Sequence, residues 1–121
     1  MIKIDYSKQG EKRIIIRGKS DCFHANMEDI MYITCEEYMC TIYLVDGEKF
    51  STTHSLKCFE EIIKEDDFFK VSRNTLINTE YATVTRMTRK ERCVNVKGIK
   101  IKVSRSRFPH LKKMLYGCSS Q

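Results

Sequence analysis

The sequence has no long hydrophobic run. Its longest uncharged apolar stretch, residues 38–45, is eight residues, far short of the roughly 20 that a membrane-spanning helix requires, so no membrane insertion is expected. The opening Met1-Ile2-Lys3-Ile4-Asp5-Tyr6 has no basic stretch followed by an apolar one. It does not read as a secretory signal, and a cytoplasmic location is the expectation. The signatures of catalysis are lacking as well. There is no G-x-S-x-G, no H-E-x-x-H, no calcium-loop pattern, and the five glycines are too dispersed for a phosphate loop. Glu36-Glu37 and Asp66-Asp67 are adjacent acids whose side chains point apart on a strand or turn, which favours solvated acids over a catalytic dyad. His54 and His110 read as surface or capping groups. No enzymatic activity is expected.

The six cysteines (Cys22, Cys35, Cys40, Cys58, Cys93, Cys118) include no C-x-x-C, and the three histidines do not complete a zinc-ligand pattern with them. Reduced thiols packed as small apolar side chains are the expectation, with no metal and no cofactor. Cys35 and Cys40 are the pair that hairpin geometry could bring together.

What is present is one domain's worth of chain, 121 residues with 41% apolar and 31% charged side chains. The formal charge of +6 is unevenly spread. Up to Phe69 there are nine basic and fourteen acidic residues, and after it thirteen basic and two acidic, so a half of net −5 precedes one of net +11. Such asymmetry points to a polyanionic partner.

The apolar pattern is mostly of period two, in short β-branched and aromatic runs between turn signals, which predicts a mainly β domain. Strands are expected at 14–17, 30–33, 68–71, 75–78 and 82–87. Ile30-Met31-Tyr32-Ile33 is apolar throughout and should be buried on both faces. Asp46-Gly47 between residues 41–45 and 48–51 predicts a hairpin. A second hairpin joins 93–97 to 99–104 across Gly98, with Val94, Val96, Ile99, Ile101 and Val103 on one face and mostly lysines on the other. Leu56, Phe59, Ile62 and Ile63 at helical spacing, with Ser55 as N-cap, predict one internal helix over 55–64. A short C-terminal helix should carry Pro109 in its first turn, presenting Phe108, Leu111 and Leu115 on one face and closing at Gly117. The domain is expected over 12–117, between a flexible arm at 1–11 and a frayed tail at 118–121.

Two places in the basic half repeat one arrangement. In Val71-Ser72-Arg73 and Val103-Ser104-Arg105 an apolar strand runs into a serine and an arginine. A guanidinium projected from a strand end can fork onto guanine O6 and N7, while neighbouring Ser, Asn and Lys hold phosphates. Single-strand and RNA binders instead interleave aromatics with basic residues, and the late basic strands have none. A small β-rich RNA or single-stranded nucleic-acid binding protein is therefore the second reading, and a module docking an acidic protein the third.

Asp29-Ile30-Met31-Tyr32-Ile33, Glu37-Tyr38, the Asp46-Gly47 hairpin, Ser55-Leu56, then Phe68-Phe69-Lys70-Val71-Ser72-Arg73-Asn74 with Ile77-Asn78, and Lys102-Val103-Ser104-Arg105 occur in that order. In this the chain, over roughly residues 12–116, resembles the LytTR family, the β-rich DNA-binding domains of many bacterial response regulators and of some stand-alone transcription factors. The resemblance implies about ten short strands in small antiparallel sheets, whose loops enter successive major grooves of double-stranded DNA. It assigns base contact to the loop at 37–39, through Glu37 and Met39, and to Arg73 and Arg105. Phosphate contact falls to Lys70, Asn74, Ser104 and Arg107.

Two departures stand out. Ser72-Arg73-Asn74 replaces the family's frequent His-Arg-Ser, and Glu36 and Glu37 make the first loop acidic. Such a glutamate would repel phosphates but could accept from a cytosine N4. The resemblance further implies transcription regulation within two-component systems, an upstream sensor or regulator as partner, and a monomer or weak dimer that associates on paired direct repeats. The eleven residues ahead of the first expected strand leave no room for a receiver domain, so either a stand-alone regulator or a fragment is expected.

Overall fold

A computed structural model describes residues 2–18, 21–63, 67–84 and 92–116. Its centre is a five-stranded antiparallel sheet of β4 (Ile30–Glu36), β5 (Met39–Leu44), β6 (Lys49–Thr52), β7 (Phe68–Ser72) and β8 (Thr75–Asn78), in the order β6-β5-β4-β8-β7. Two hairpins, β4–β5 and β7–β8, are thus joined side by side. The pairing Tyr32↔Ile77, Ile33↔Leu76 and Thr34↔Thr75 makes the join.

Each face of this sheet carries a core. One is covered by the sheet of β1 (Ile2–Tyr6), β2 (Lys12–Arg17) and β3 (Cys22–Asn26), together with α1 (Leu56–Ile62). Ile14, Ile16, Phe59 and Ile63 pack there against Ile33, Ile42 and Leu76. The other face meets β9 (Ala82–Val84), β10 (Cys93–Val96), β11 (Ile99–Lys102) and α2 (Phe108–Tyr116). On that side Val94, Val96, Val103 and Leu111 pack against Tyr32, Val71 and Ile77. Alternation along β4 and β8 explains the arrangement, since successive side chains face opposite ways and both sets are apolar. A bulge between Ile30 and Tyr32 turns Met31 and Tyr32 into the same core.

The expected elements are found, with adjustments. Ser55 caps α1, its hydroxyl accepting from the Cys58 N–H. The Asp46-Gly47 hairpin has a three-residue loop, because the Val45 N–H donates to the Asp29 carbonyl and not across the hairpin. Gly47 takes φ 94° after the turn. Gly98 and Lys97 are both left-handed, at φ 90° and 49°, which suits the tight β10–β11 turn. Ile99 differs from expectation: it is exposed on the edge strand β11. Of the strand expected at 82–87, β9 accounts for Ala82–Val84. Its remainder, Gly117 and the tail at 118–121 lie outside the described residues.

Two strands escaped the sequence reading. Ile2–Tyr6 is a strand paired with β2 from Ile2↔Ile16 to Tyr6↔Lys12, not a flexible arm, because Ile2 and Ile4 reach the first core. Cys22–Asn26 pairs with the other edge of β2, inserting Phe23, which stacks on Phe50 with ring centroids 4.4 Å apart. The cysteine expectation also needs correction at one pair. Cys35 and Cys40 are bridged as a disulfide, while Cys22, Cys58 and Cys93 are free thiols.

Asn78 ties β8 to the start of β4. Its buried amide donates to the Ile30 carbonyl at 2.9 Å and its oxygen accepts from the Glu80 N–H at 3.0 Å. Asn78→Ala should cost about 1–3 kcal/mol by stranding both groups, read as a lower urea midpoint; an unchanged midpoint would show that water replaces the amide. At the β4–β5 turn Glu37 sits at φ 52°, a conformation that penalises a side chain. Glu37→Gly should therefore stabilise the fold by about 0.5–1 kcal/mol, and the same denaturation assay showing a loss would place an uncounted favourable contact on the glutamate.

Candidate nucleic-acid interface

Hairpin register decides where the sequence-derived site residues go. β4 and β5 close at Glu36↔Met39, leaving Glu37 and Tyr38 as a two-residue tip. β7 and β8 close at Ser72↔Thr75, leaving Arg73 and Asn74 as another. Because β4 pairs with β8, the two tips lie at the same end of the sheet. A backbone bond fixes the neighbourhood, the Cys35 N–H donating to the Asn74 carbonyl at 2.8 Å.

The third segment joins from the other layer. After β11, the Ser104 N–H donates to the Val71 carbonyl at 2.8 Å, docking residues 104–107 beside the end of β7. The Ser104 carbonyl then accepts from the Arg107 and Phe108 N–H groups, which starts α2. Three connections thus form one row: the β4–β5 tip, the β7–β8 tip and the β11–α2 loop. Arg73 and Arg105 are both exposed within it.

Local bonds shape each member. A bulge between Lys70 and Ser72 shifts the register at the end of β7 and re-aims the chain ahead of Arg73. The Ser72 hydroxyl donates to Asn74 Oδ1 at 2.8 Å, and the Thr75 hydroxyl donates to the same oxygen at 3.2 Å. The Asn74 side chain is thereby held by its carbonyl end. Arg107 is half-buried and reaches Ser104 Oγ at 3.4 Å. It braces the loop from within, whereas Arg105 carries its charge outward.

Lys70 stands apart from the row. It lies on the strand face turned toward α1, where its ammonium is 3.1 Å from Glu60 Oε2. Glu37 and Met39 are exposed at the first tip, as is the side chain between them. Tyr38, 86% exposed, is the most exposed large apolar residue described. The sequence reading included Tyr38 only as part of the loop. Its place at a two-residue tip, where no neighbour can cover it, is the signal that was missed.

Among the described residues no cluster of His, Cys, Asp and Glu is arranged to hold a metal ion. No helix among them is long and apolar enough to cross a membrane.

The model of the LytTr DNA-binding domain matches residues 20–116. Among solved structures, the chain is similar to the LytTr DNA-binding domain of a Bacillus cereus protein described as a methyl-accepting/DNA response regulator. The TM-score is 0.72 at 17% sequence identity, covering 88% of this chain and 98% of that one. At that identity the likeness establishes the fold. No curated protein matches the chain by sequence. The family match takes in every described element from β3 to α2, including every loop of the row: the chain belongs to the LytTr DNA-binding domain family, whose members are the DNA-binding domains of transcriptional regulators.

Proposed function

We propose that this chain is a sequence-specific binder of double-stranded DNA that regulates transcription by placing the loop row into successive major grooves. The observation that carries the reading is the convergence of three separate chain segments, with Arg73 and Arg105 exposed, at one end of the central sheet. Three inter-strand spacings separate β5 from β7, roughly 14 Å at about 4.8 Å each. The β11–α2 loop extends the row further. The two hairpin tips therefore match one major groove, about 12 Å wide, and contact with the next groove, about 34 Å along the axis, falls to the β11–α2 loop.

Roles follow from placement. Arg73 and Arg105 offer forked donors to guanine edges. Asn74, Ser104 and Arg107 sit beside them as phosphate contacts that set register. Lys70 exchanges Glu60 for a phosphate, which costs little because a partly exposed ion pair is worth about 0–1 kcal/mol. Glu37 and Met39 contact bases from the first tip, where an acidic side chain accepts from cytosine and avoids the backbone. Two copies on paired direct repeats, one helical turn apart, provide the affinity that one small row lacks. The source of regulation is an upstream sensor or regulator protein, in the manner of two-component systems, acting in the bacterial cytoplasm.

Selection from a random duplex library, with single-stranded DNA and RNA as competitors, tests the class. Enrichment of a spaced duplex repeat is expected, and preferential retention of RNA or single strands would overturn it. On the selected duplex, Arg73→Ala and Arg105→Ala should each cost about 1–3 kcal/mol and relax discrimination at one position; competition binding that shows unchanged specificity removes the base-reading role. Lys70→Ala should weaken binding to all duplexes alike and reduce the slope of log affinity against log salt by about one. A loss confined to one sequence would contradict its phosphate role.

A further inference from the structure

The Cys35–Cys40 bridge has no part in the recognition chemistry just described, yet it spans the base of the first tip. Cys35 and Cys40 are cross-strand partners one step behind Glu36↔Met39. The Cys35 N–H donates sideways to Asn74, not across to β5, so the bridge occupies a pair whose strands are not bonded to each other there. On one side of the bridge lie Glu37, Tyr38 and Met39. On the other, through Cys35, lies the Arg73–Asn74 tip.

Its contribution to the whole fold is small on physical grounds. The cysteines are only five residues apart, so the loop the bridge closes in the unfolded chain is short and the entropy it removes there lies at the low end of the range for disulfides. Two packed cores hold the strands without it. What the bridge controls is local: the twist and freedom of a tip whose Glu37 is already left-handed.

Access is asymmetric. Cys40 is 1% exposed, whereas Cys35, packed against the first core, is only half-buried. A thiolate can therefore reach the Cys35 sulfur and not that of Cys40.

We propose that Cys35 and Cys40 form a reversible dithiol/disulfide site whose oxidised state pre-organises the recognition row and tightens DNA binding. The inference rests on the DNA-binding reading above. In the reducing direction a dithiol is the co-substrate. One of its thiolates attacks the Cys35 sulfur, the S–S bond breaks, and Cys40 leaves as a thiolate that takes a proton. The second thiol then attacks the mixed disulfide and frees Cys35, so the reagent leaves oxidised to a disulfide and its two electrons remain on the two protein thiols. A small disulfide reverses each step and is itself reduced to two thiols. Pre-organisation favours binding because the oxidised tip has less freedom to lose on the DNA.

The test uses the full chain equilibrated in dithiothreitol buffers of graded oxidation. Alkylation and mass spectrometry report the bridge, and titration with the selected duplex reports affinity. Loss of the 35–40 bridge should weaken binding to that duplex by about threefold to tenfold, with non-specific binding unchanged. Cys35→Ser and Cys40→Ala should bind like the reduced protein in every buffer. Cys22→Ser, at an exposed thiol distant in sequence from the row, should keep the full response. No 35–40 bridge in any buffer would overturn the site. A bridge that forms with equal affinity in both states would overturn the coupling while leaving the DNA-binding reading intact, and failure to bind any duplex in either state would overturn that reading and this inference with it.

Discussion

The pairing of β4 with β8 is the contact on which the rest of the molecule depends. It joins residues more than 40 apart in sequence, Tyr32 with Ile77 and Ile33 with Leu76, and so turns two local hairpins into one sheet. Its register is fixed twice over. Ile33 and Leu76 face one core while Tyr32 and Ile77 face the other. A slip by one residue would exchange the two sets and move one tip along the other by about 3.3 Å. Neither core would tolerate that, since the first is filled by branched aliphatics and Phe59 and the second by stacked Tyr32 and Tyr43. The positions of the tips relative to one another therefore follow from core packing, reinforced where the Cys35 N–H donates to the Asn74 carbonyl.

Local pattern made much of this legible. Ile30-Met31-Tyr32-Ile33 reads as a doubly buried strand because it is one, and Ser55 caps α1 because its hydroxyl meets the Cys58 N–H. The strands that escaped notice fail for a physical reason. β1 presents only Ile2 and Ile4 inward between Lys3 and Asp5, and β3 only Phe23 and Ala25. Edge strands with two inward side chains lack the contrast that a period-two pattern needs. Long-range placement was even less visible. Nothing in the spacing of Lys70 and Glu60 announces their ion pair, whereas Cys35 and Cys40 stand out as the pair a hairpin could join, the two-residue turn deciding the bridge. For the site, family resemblance supplied the roles and the two Ser-Arg strand ends supplied the positions. What the sequence left unseen is the backbone bonding, from Ser104 to Val71 and from Cys35 to Asn74, that makes three segments one surface.

One cluster of acidic residues stands apart from the exposed arginines. At the end of the sheet away from the loop row, Glu11, Glu28, Asp67 and Glu80 line a cleft of about 200 Å³ floored by Met27 and Phe68, with Lys12 as its one basic lining residue. Arg73 and Arg105 lie at the other end of the same strands. The arginine end of β7 and β8 attracts a polyanion and the acidic cleft at the other end repels it, which raises the fraction of encounters that meet the correct face and makes association depend on salt. The acidic β4–β5 tip opposes this attraction at close range. On the proposed reading Glu36 and Glu37 do not rest against phosphates, because like charges repel there. The positive and negative groups thus sit on neighbouring connections at one end of one sheet, and in the proposed binding mode attraction by the first and repulsion by the second together restrict the registers open to the row.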